Sequence, residues 1–97
     1  MSQLLFEWDK RKSVANQRKH GVSFEEAKTV FFDEDALEYP DPGHSSDEDR
    51  FLMVGRSFQL RVLLVCHCYR AEESTIRIIS ARKATRRERQ AHAGGTG

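Results

Sequence analysis

The spacing of hydrophobic residues changes along the chain, from helical intervals in the first third to short apolar runs in the second half. Phe24, Ala27 and Phe31 recur at intervals of three and four residues, which is typical of an amphipathic helix. From Phe51 onward, apolar runs are separated by links of hairpin length. The pattern therefore predicts an α+β domain in which helices precede an antiparallel meander.

The residues that flank the two predicted helices have capping chemistry. Asp9 is a suitable N-cap for a helix over residues 10–19, and Gly21 suits the left-handed position that ends it. Ser23 and Glu26 have the spacing of a capping box, which predicts the start of a second helix. This second helix is expected to end near residue 33, so the two helices form a hairpin.

The remaining elements are predicted to be strands and a short final helix. A first strand is expected at residues 4–8, followed after the helices by three or four antiparallel strands over residues 36–39, 51–56, 61–69 and 75–81. Thr85 and Glu88 repeat the capping-box pattern and predict a C-terminal helix. We expect a sheet of about four strands with both N-terminal helices on one face. One domain over residues 1–92 and a disordered tail over residues 93–97 follow from this order.

Alternation along the strands predicts which side chains share a face. We expect Val62, Leu64, Cys66 and Cys68 to face the helices, together with the apolar residues of the neighbouring strands. This register predicts a cationic face on the other side, formed by Arg50, Arg56, Arg61, His67, Tyr69 and Arg77. A shift of one residue would invert the assignment.

Charge is distributed unevenly between the two halves of the chain. Residues 1–49 contain 6 Lys/Arg and 12 Asp/Glu, a net charge of −6, whereas residues 50–97 contain 10 and 3, a net charge of +7. Such asymmetry favours binding of a nucleic acid or another polyanion. The longest apolar run, from Val62 to Cys66, is too short to cross a membrane, and we expect a cytoplasmic protein.

The two cysteines, Cys66 and Cys68, are expected to be core residues. A reducing compartment argues against a disulfide between them, and no further Cys pair or His pair completes a zinc site. We therefore expect neither a metal nor a cofactor.

A cationic face with one histidine and one tyrosine could bind RNA or cut it. Guanidinium groups hold phosphate and stabilise the charge of the transition state, and aromatic rings stack on unpaired bases. His67 could transfer a proton because the ordinary histidine pKa lies near neutrality. Tyr69 and Glu88 are weaker candidates for this role. Each residue also has a plain structural explanation: His67 could be a packing residue, and the arginines could be solvated.

Several blocks of the sequence resemble the BrnT family of toxins, and together they cover about residues 6–89. They are Phe6-Glu7-Trp8-Asp9, Asn16-x-x-Lys19-His20-Gly21-Val22-Ser23-Phe24-Glu25-Glu26-Ala27, Asp41-x-x-His44-Ser45, Glu48-x-Arg50-Phe51, Gly55-x-Ser57 and Ile76-Arg77-Ile78-Ile79-Ser80-Ala81-Arg82-x-Ala84-Thr85-x-x-Glu88-Arg89. The resemblance implies a RelE-like fold and a ribonuclease that cuts RNA without a metal ion and inhibits translation. It also implies a type II toxin–antitoxin module with a BrnA-like DNA-binding antitoxin and a heterotetrameric complex.

The resemblance also implies roles for particular side chains. Arg56, Arg77 and Arg82 are expected to contact the phosphate or the transition state. RelE-type enzymes also have a C-terminal tyrosine, but no Tyr follows Tyr69 in this chain, so we take His67 as its substitute. The expected RNA-binding residues are Lys19, His20, Arg50, Arg61, Tyr69 and Arg86. The alternative hypothesis is a non-catalytic module that binds RNA or protein as the partner of a transcriptional regulator.

Overall fold

The computed structural model describes residues 4–43, 49–70 and 74–94, which form a mixed sheet, three α-helices and one 3-10 turn. In chain order the elements are β1 (Leu5–Glu7), α1 (Lys10–His20), α2 (Phe24–Thr29), the 3-10 turn (Val30–Phe32), β2 (Leu37–Pro40), β3 (Arg50–Arg56), β4 (Val62–Arg70), β5 (Thr75–Lys83) and α3 (Arg86–Gly94). The predicted α+β class is confirmed.

The described sheet has five strands in the order β1-β5-β4-β3-β2. Strands β2 to β5 pair antiparallel, whereas β1 pairs parallel with β5, with Phe6 opposite Ile76. The prediction of an antiparallel sheet of about four strands was therefore wrong in strand number and in one direction. The three-residue β1 is too short for a sequence pattern to reveal its pairing, which depends on a partner about 70 residues away in the chain.

The predicted helix caps on either side of α1 are confirmed. The Asp9 carboxylate accepts hydrogen bonds from the Arg11 and Lys12 N–H groups at 2.8 and 3.4 Å. Gly21 takes up the left-handed conformation with φ 72°, and its N–H donates to the Gln17 carbonyl. The capping interactions explain why α1 begins and ends where the sequence predicts.

The two capping boxes differ in the structure. At α3 the box is complete: the Glu88 N–H donates to Thr85 Oγ1, and the Thr85 N–H donates to Glu88 Oε1. At α2 the Ser23 hydroxyl accepts from the Glu26 N–H, but the Glu26 carboxylate turns into the protein and binds other groups. The pattern thus predicted both helix starts and the partners of only one glutamate.

The core lies between the helices and one face of the sheet. Asn16 links the two layers: its amide N–H donates to the carbonyls of Val22 and Ala81, each at 2.8 Å, and its oxygen accepts from the Ala81 N–H. Its buried amide therefore fixes α1 against β5. The fully packed core residues are Val22, Phe24, Ala27, Val30, Leu63, Val65, Ile78 and Ala81.

The prediction of which β4 side chains face the helices was wrong, although the faces of β3 and of the first half of β5 were predicted correctly. Leu63 and Val65 pack in the core with the helices, whereas Leu64 and Cys66 lie on the opposite face. The middle of β4 is apolar on both faces, so alternation alone does not decide which face meets the helices. The polar residues that suggested a solvent-facing side have partners inside the fold.

Helix α3 continues to Gly94, so residues 93 and 94 are helical and not part of the predicted tail. Residues 44–48, and residues 95–97 of the predicted tail, lie outside the described part of the chain. Within that part, none of the helices has the length and apolar character to span a membrane.

Candidate active site

A cavity of about 360 Å³ opens mainly over the sheet face that carries Leu64 and Cys66, and the last residue of α1 also lines it. Its lining includes one histidine and two arginines that are far apart in the chain: His20, Arg50 and Arg82. The other lining residues are Asp41, Leu52, Leu64, Cys66, Ser80 and Ala81. The cavity thus combines apolar side chains with charged groups and the Ser80 hydroxyl.

Strand register builds the floor of the cavity. Leu52 of β3 pairs with Cys66 of β4, and Cys66 pairs with Ser80 of β5, so the three side chains form one row across the sheet. Side chains of paired residues in neighbouring strands lie on the same face. Two residues further along these strands, Arg82 of β5 pairs with Leu64 of β4, so their side chains also lie next to each other.

A bulge in β5 places Arg82 on this face. Cys66 pairs with Ser80 and His67 pairs with Ile78, so Ile79 is an extra residue without a partner in β4. Strict alternation would put Arg77 and Arg82 on opposite faces, because an odd number of steps separates them. The additional residue restores Arg82 to the face of Arg77.

Arg82 is oriented by Glu88 of α3. The guanidinium Nη1 and Nη2 atoms donate to the two Glu88 carboxylate oxygens at 2.9 and 3.0 Å, and Nη1 also donates to the Lys83 carbonyl. Hydrogen bonding to Glu88 raises the pKa of Arg82, and the same contact lowers the pKa of Glu88. Within the described part of the chain, the Nε–H group has no protein acceptor and remains available for a ligand.

Cys66 lies on the floor of the cavity close to Asp41, with 4.0 Å between Sγ and the Asp41 carboxylate Oδ2. Burial raises the pKa of the thiol, and the Asp41 charge raises it further. The thiol is therefore protonated near neutral pH, which makes it a weak nucleophile. We assign it a structural place in the cavity floor.

The other predicted arginines lie outside this cavity. Arg77 shares the sheet face but pairs with Glu7, with 3.0 Å between Nη1 and Oε2. Arg56 lines a different hollow with Phe32 and Phe58, at the end of β3. Two further predicted RNA contacts, Lys19 and Arg86, are exposed and do not line the cavity.

Arg61 does not join the cationic face as predicted. It lies on the helix side of the sheet, where its Nε and Nη2 atoms donate to the two carboxylate oxygens of Glu26 at 2.7 and 2.6 Å. Nη2 also donates to the Gly21 carbonyl, and Ser57 donates to Glu26. Hydrogen bonding to Arg61 is the main cause that lowers the pKa of the buried Glu26. Arg61 therefore compensates a buried charge and has a structural role.

His67 and Tyr69 also lie on the helix side, contrary to the predicted register. His67 has no exposed surface, and its ring packs edge-on against Phe31. Its Nε2 atom lies 2.7 Å from the Glu38 carboxylate, and the Tyr69 hydroxyl donates to the same carboxylate. An RNA strand cannot reach His67 without opening the core, so the geometry removes it from the site.

Sequence reasoning missed Asp41, Cys66 and Ser80 as cavity residues. Cys66 was placed in the core because it alternates with apolar neighbours, and Asp41 was given no chemical role. The Asp41-x-x-His44-Ser45 block contained the available signal for Asp41. The described residues hold no cluster of three or more His, Cys, Asp or Glu side chains that could bind a metal ion.

Comparison with known proteins provides independent information. A family model described as "Ribonuclease toxin, BrnT, of type II toxin-antitoxin system" matches residues 8–88. The fold is similar to the crystal structure of the Brucella abortus ribonuclease toxin BrnT, with a TM-score of 0.61 and 20% sequence identity over 89% of this chain and 100% of that one. No curated protein sequence matches.

Proposed function

The chain belongs to the BrnT family of ribonuclease toxins of type II toxin–antitoxin systems, and we propose that it cuts RNA, without a metal ion, at the cavity lined by His20, Arg50 and Arg82. The observation that supports this location is the convergence of these three side chains, from α1, β3 and β5, on one concave surface. Arg77 and Arg56 contribute at most to the path of the RNA outside the cavity.

The proposed reaction requires three functions at one phosphate. A base removes the proton of the 2′-hydroxyl, which attacks the neighbouring phosphorus and forms a bond to it. Cationic groups stabilise the pentacoordinate phosphorane, and an acid protonates the 5′-oxygen as its bond to phosphorus breaks. The products are a 2′,3′-cyclic phosphate and a free 5′-hydroxyl.

Arg82 is the side chain best suited to stabilise the phosphorane. Glu88 already holds its guanidinium in place, so little reorganisation accompanies phosphate binding, and the Nε–H group points to no acceptor among the described residues. Arg50 supplies a second guanidinium at the cavity. Two guanidinium groups can neutralise the charge that a metal ion neutralises in other nucleases.

His20 is the proposed proton-transfer group. Among the described residues it is the histidine that lines the cavity, at the last position of α1, and it is partly exposed. Asp41 is the carboxylate of the same cavity and is the proposed second member of the acid–base pair. With one of them on each side of a bound phosphate, one would act as the base and the other as the acid.

The family membership extends the proposal to the biological setting. We infer a BrnA-like DNA-binding antitoxin, a heterotetrameric toxin–antitoxin complex, a RelE-like variant of the fold, inhibition of translation and a cytoplasmic location. The family match and the fold similarity favour the toxin over a non-catalytic partner of a transcriptional regulator.

Cleavage of RNA in the presence of EDTA tests the proposal directly. The wild-type protein should produce fragments with 2′,3′-cyclic phosphate ends, and Arg82→Ala should lower the rate at least about a hundredfold. Arg11→Ala, which removes an exposed arginine of α1 outside the cavity, is the matched control and should leave the rate unchanged. Full activity of a folded Arg82→Ala protein would show that the reaction occurs elsewhere.

A further inference from the structure

We propose that Tyr39 forms a nucleobase-binding subsite at the edge of the cavity, where a base next to the bound phosphate stacks on the phenol ring. This inference rests on the proposed cleavage site and adds a residue that contributes to RNA affinity. Neither the family description nor the sequence pattern assigns a role to Tyr39.

The register of β2 places Tyr39 beside the cavity. Tyr39 pairs with Leu52, which lines the cavity, so the two side chains lie on the same face of the sheet. Neighbouring strands are about 4.8 Å apart, which sets Tyr39 one strand beyond the cavity floor. Asp41, two residues further along the chain, also lines the cavity. Tyr39 therefore continues the row formed by Leu52, Cys66 and Ser80.

The exposure of Tyr39 suits a stacking surface. Its exposed fraction is 38%, which leaves part of the ring open while the remainder packs against the protein. Phe32 and Phe58 are more exposed, but they line the separate hollow beside Arg56. Among the described residues, Tyr39 is thus the exposed aromatic side chain on the row that crosses the cavity. Stacking on such a ring is tolerant of sequence and contributes substantially to single-strand binding.

The charges around Tyr39 connect the ring to the phosphate-binding group. Burial and the neighbouring Glu88 carboxylate raise the pKa of Tyr39, whereas Arg82 acts in the opposite direction. The ring therefore lies within electrostatic range of the Arg82–Glu88 pair and remains neutral near physiological pH. A neutral phenol is suited to stacking on a base and unsuited to removing a proton from the 2′-hydroxyl.

Steady-state cleavage of short RNAs by Tyr39 variants is the first test. Tyr39→Ala should raise KM about tenfold or more with a smaller change in kcat, and Tyr39→Phe should stay within about twofold of wild type because the ring is retained. Phe58→Ala, which removes an exposed aromatic ring away from the cavity, should behave as wild type. Wild-type KM for a folded Tyr39→Ala protein would overturn the subsite.

A binding measurement tests the same subsite without cleavage. Tyr39→Trp provides a fluorescent ring, to be titrated with 2′-O-methyl oligonucleotides that cannot undergo attack by the 2′-oxygen. The signal of Trp8 is subtracted with the wild-type protein. Quenching by an oligonucleotide with bases, and little by one of equal length with abasic positions, supports stacking. Equal responses to both oligonucleotides would contradict it.

The two proposals can fail separately. If Arg82→Ala cuts RNA at the wild-type rate, the proposed cleavage site is wrong whatever Tyr39 does. If Arg82→Ala is inactive while Tyr39→Ala keeps wild-type KM and kcat, only the subsite is wrong. The fluorescence titration decides on the subsite even for a preparation that does not cleave the chosen RNA.

Discussion

Glu88 holds Arg82 through both carboxylate oxygens, with Nη1–Oε1 and Nη2–Oε2 distances of 2.9 and 3.0 Å. The same carboxylate accepts the N–H group of Thr85 and so caps α3. One side chain therefore couples the start of the last helix to the orientation of a cavity guanidinium. A bidentate contact of this kind fixes the plane of the guanidinium as well as its position.

Substitution of Glu88 should reduce cleavage without removing a phosphate contact. In Glu88→Ala the Arg82 guanidinium loses its fixed orientation, and we expect kcat to fall about tenfold to a hundredfold. Glu88→Gln should retain more activity, because the amide oxygen can still accept one hydrogen bond. Single-turnover cleavage measures the rate, and circular dichroism checks that the variants are folded. Glu25→Ala, on the exposed surface of α2, is the control. An unchanged rate for Glu88→Ala would show that Arg82 does not need this orientation.

Removal of Arg61 should affect stability and not catalysis. Glu26 is 2% exposed, and without Arg61 its carboxylate would be left buried with Ser57 as its side-chain donor. Leaving one partner of a buried ion pair unpaired costs about 3–5 kcal/mol, and partial exposure of Arg61 places the expected loss at the low end, about 3 kcal/mol. Urea unfolding of Arg61→Ala measures this loss.

The double variant Glu26→Gln/Arg61→Met is the control for the buried pair. It removes both charges, and we expect it to be more stable than Arg61→Ala. Cleavage per folded molecule should match wild type in both proteins, since Arg61 lies on the helix side of the sheet. A selective loss of cleavage in a stable Arg61 variant would restore Arg61 to the RNA-binding surface.

Acidification should destabilise the fold through its hydrogen-bonded carboxylates. Arg61 lowers the pKa of Glu26, and Arg82 lowers that of Glu88. Burial alone would raise the pKa of Asp33, but hydrogen bonds from the Arg56 and Asp35 N–H groups and from His92 lower it. Each folded-state pKa lies below its unfolded value, so the stabilisation is present above the unfolded pKa and is lost as pH falls through the folded one.

The contribution of these three carboxylates to the free energy of unfolding should therefore be fully present above about pH 5 and fall steadily below about pH 4. Urea midpoints measured between pH 6 and 3 test this expectation. Glu26→Gln should have a shallower fall than wild type, because one of the contributing carboxylates is absent. Parallel curves for the two proteins would show that Glu26 does not contribute to the acid sensitivity.

Gly55 is expected to be intolerant of a side chain. A Cβ atom at this position would lie 2.7 Å from Val30 Cγ1 and 3.0 Å from Ala36 Cβ. Relief requires movement of the 3-10 turn or of β3, and such overpacking costs about 1–3 kcal/mol. Thermal unfolding of Gly55→Ala measures the effect, and Gly43→Ala, whose nearest neighbour would be at 3.5 Å, is the control. Equal stability of the two variants would contradict the close approach.

Local sequence signals predicted much of the fold, because they act over a few residues. The helix caps at Asp9, Gly21 and Thr85 and the alternation of β3 depend on neighbours in the chain. Which side chains of β4 face the helices depends instead on partners that are distant in the chain. The predicted register placed His67 and Arg61 on the face away from the helices, yet Glu38 and Glu26 bind them on the helix side.

The candidate site was predicted only in part, because its geometry also depends on residues that are distant in the chain. Arg50, Arg82 and His20 were named as functional residues, but the sequence did not show that they share one cavity. Their convergence depends on an unpaired Ile79 in β5, and a pattern of alternating residues contains no marker for that insertion. The site roles themselves remain predictions for the experiments above.

The bulge at Ile79 gives β5 two halves that are out of phase with each other. The first half is in step with β1, and the second half sets the position of Arg82 and the entry into α3. Deletion of this one residue would thus rotate the whole C-terminal segment by half a strand repeat. The Arg82 guanidinium would then exchange sides with Ala81, so the geometry of the cavity depends on the length of β5 as much as on its residue types.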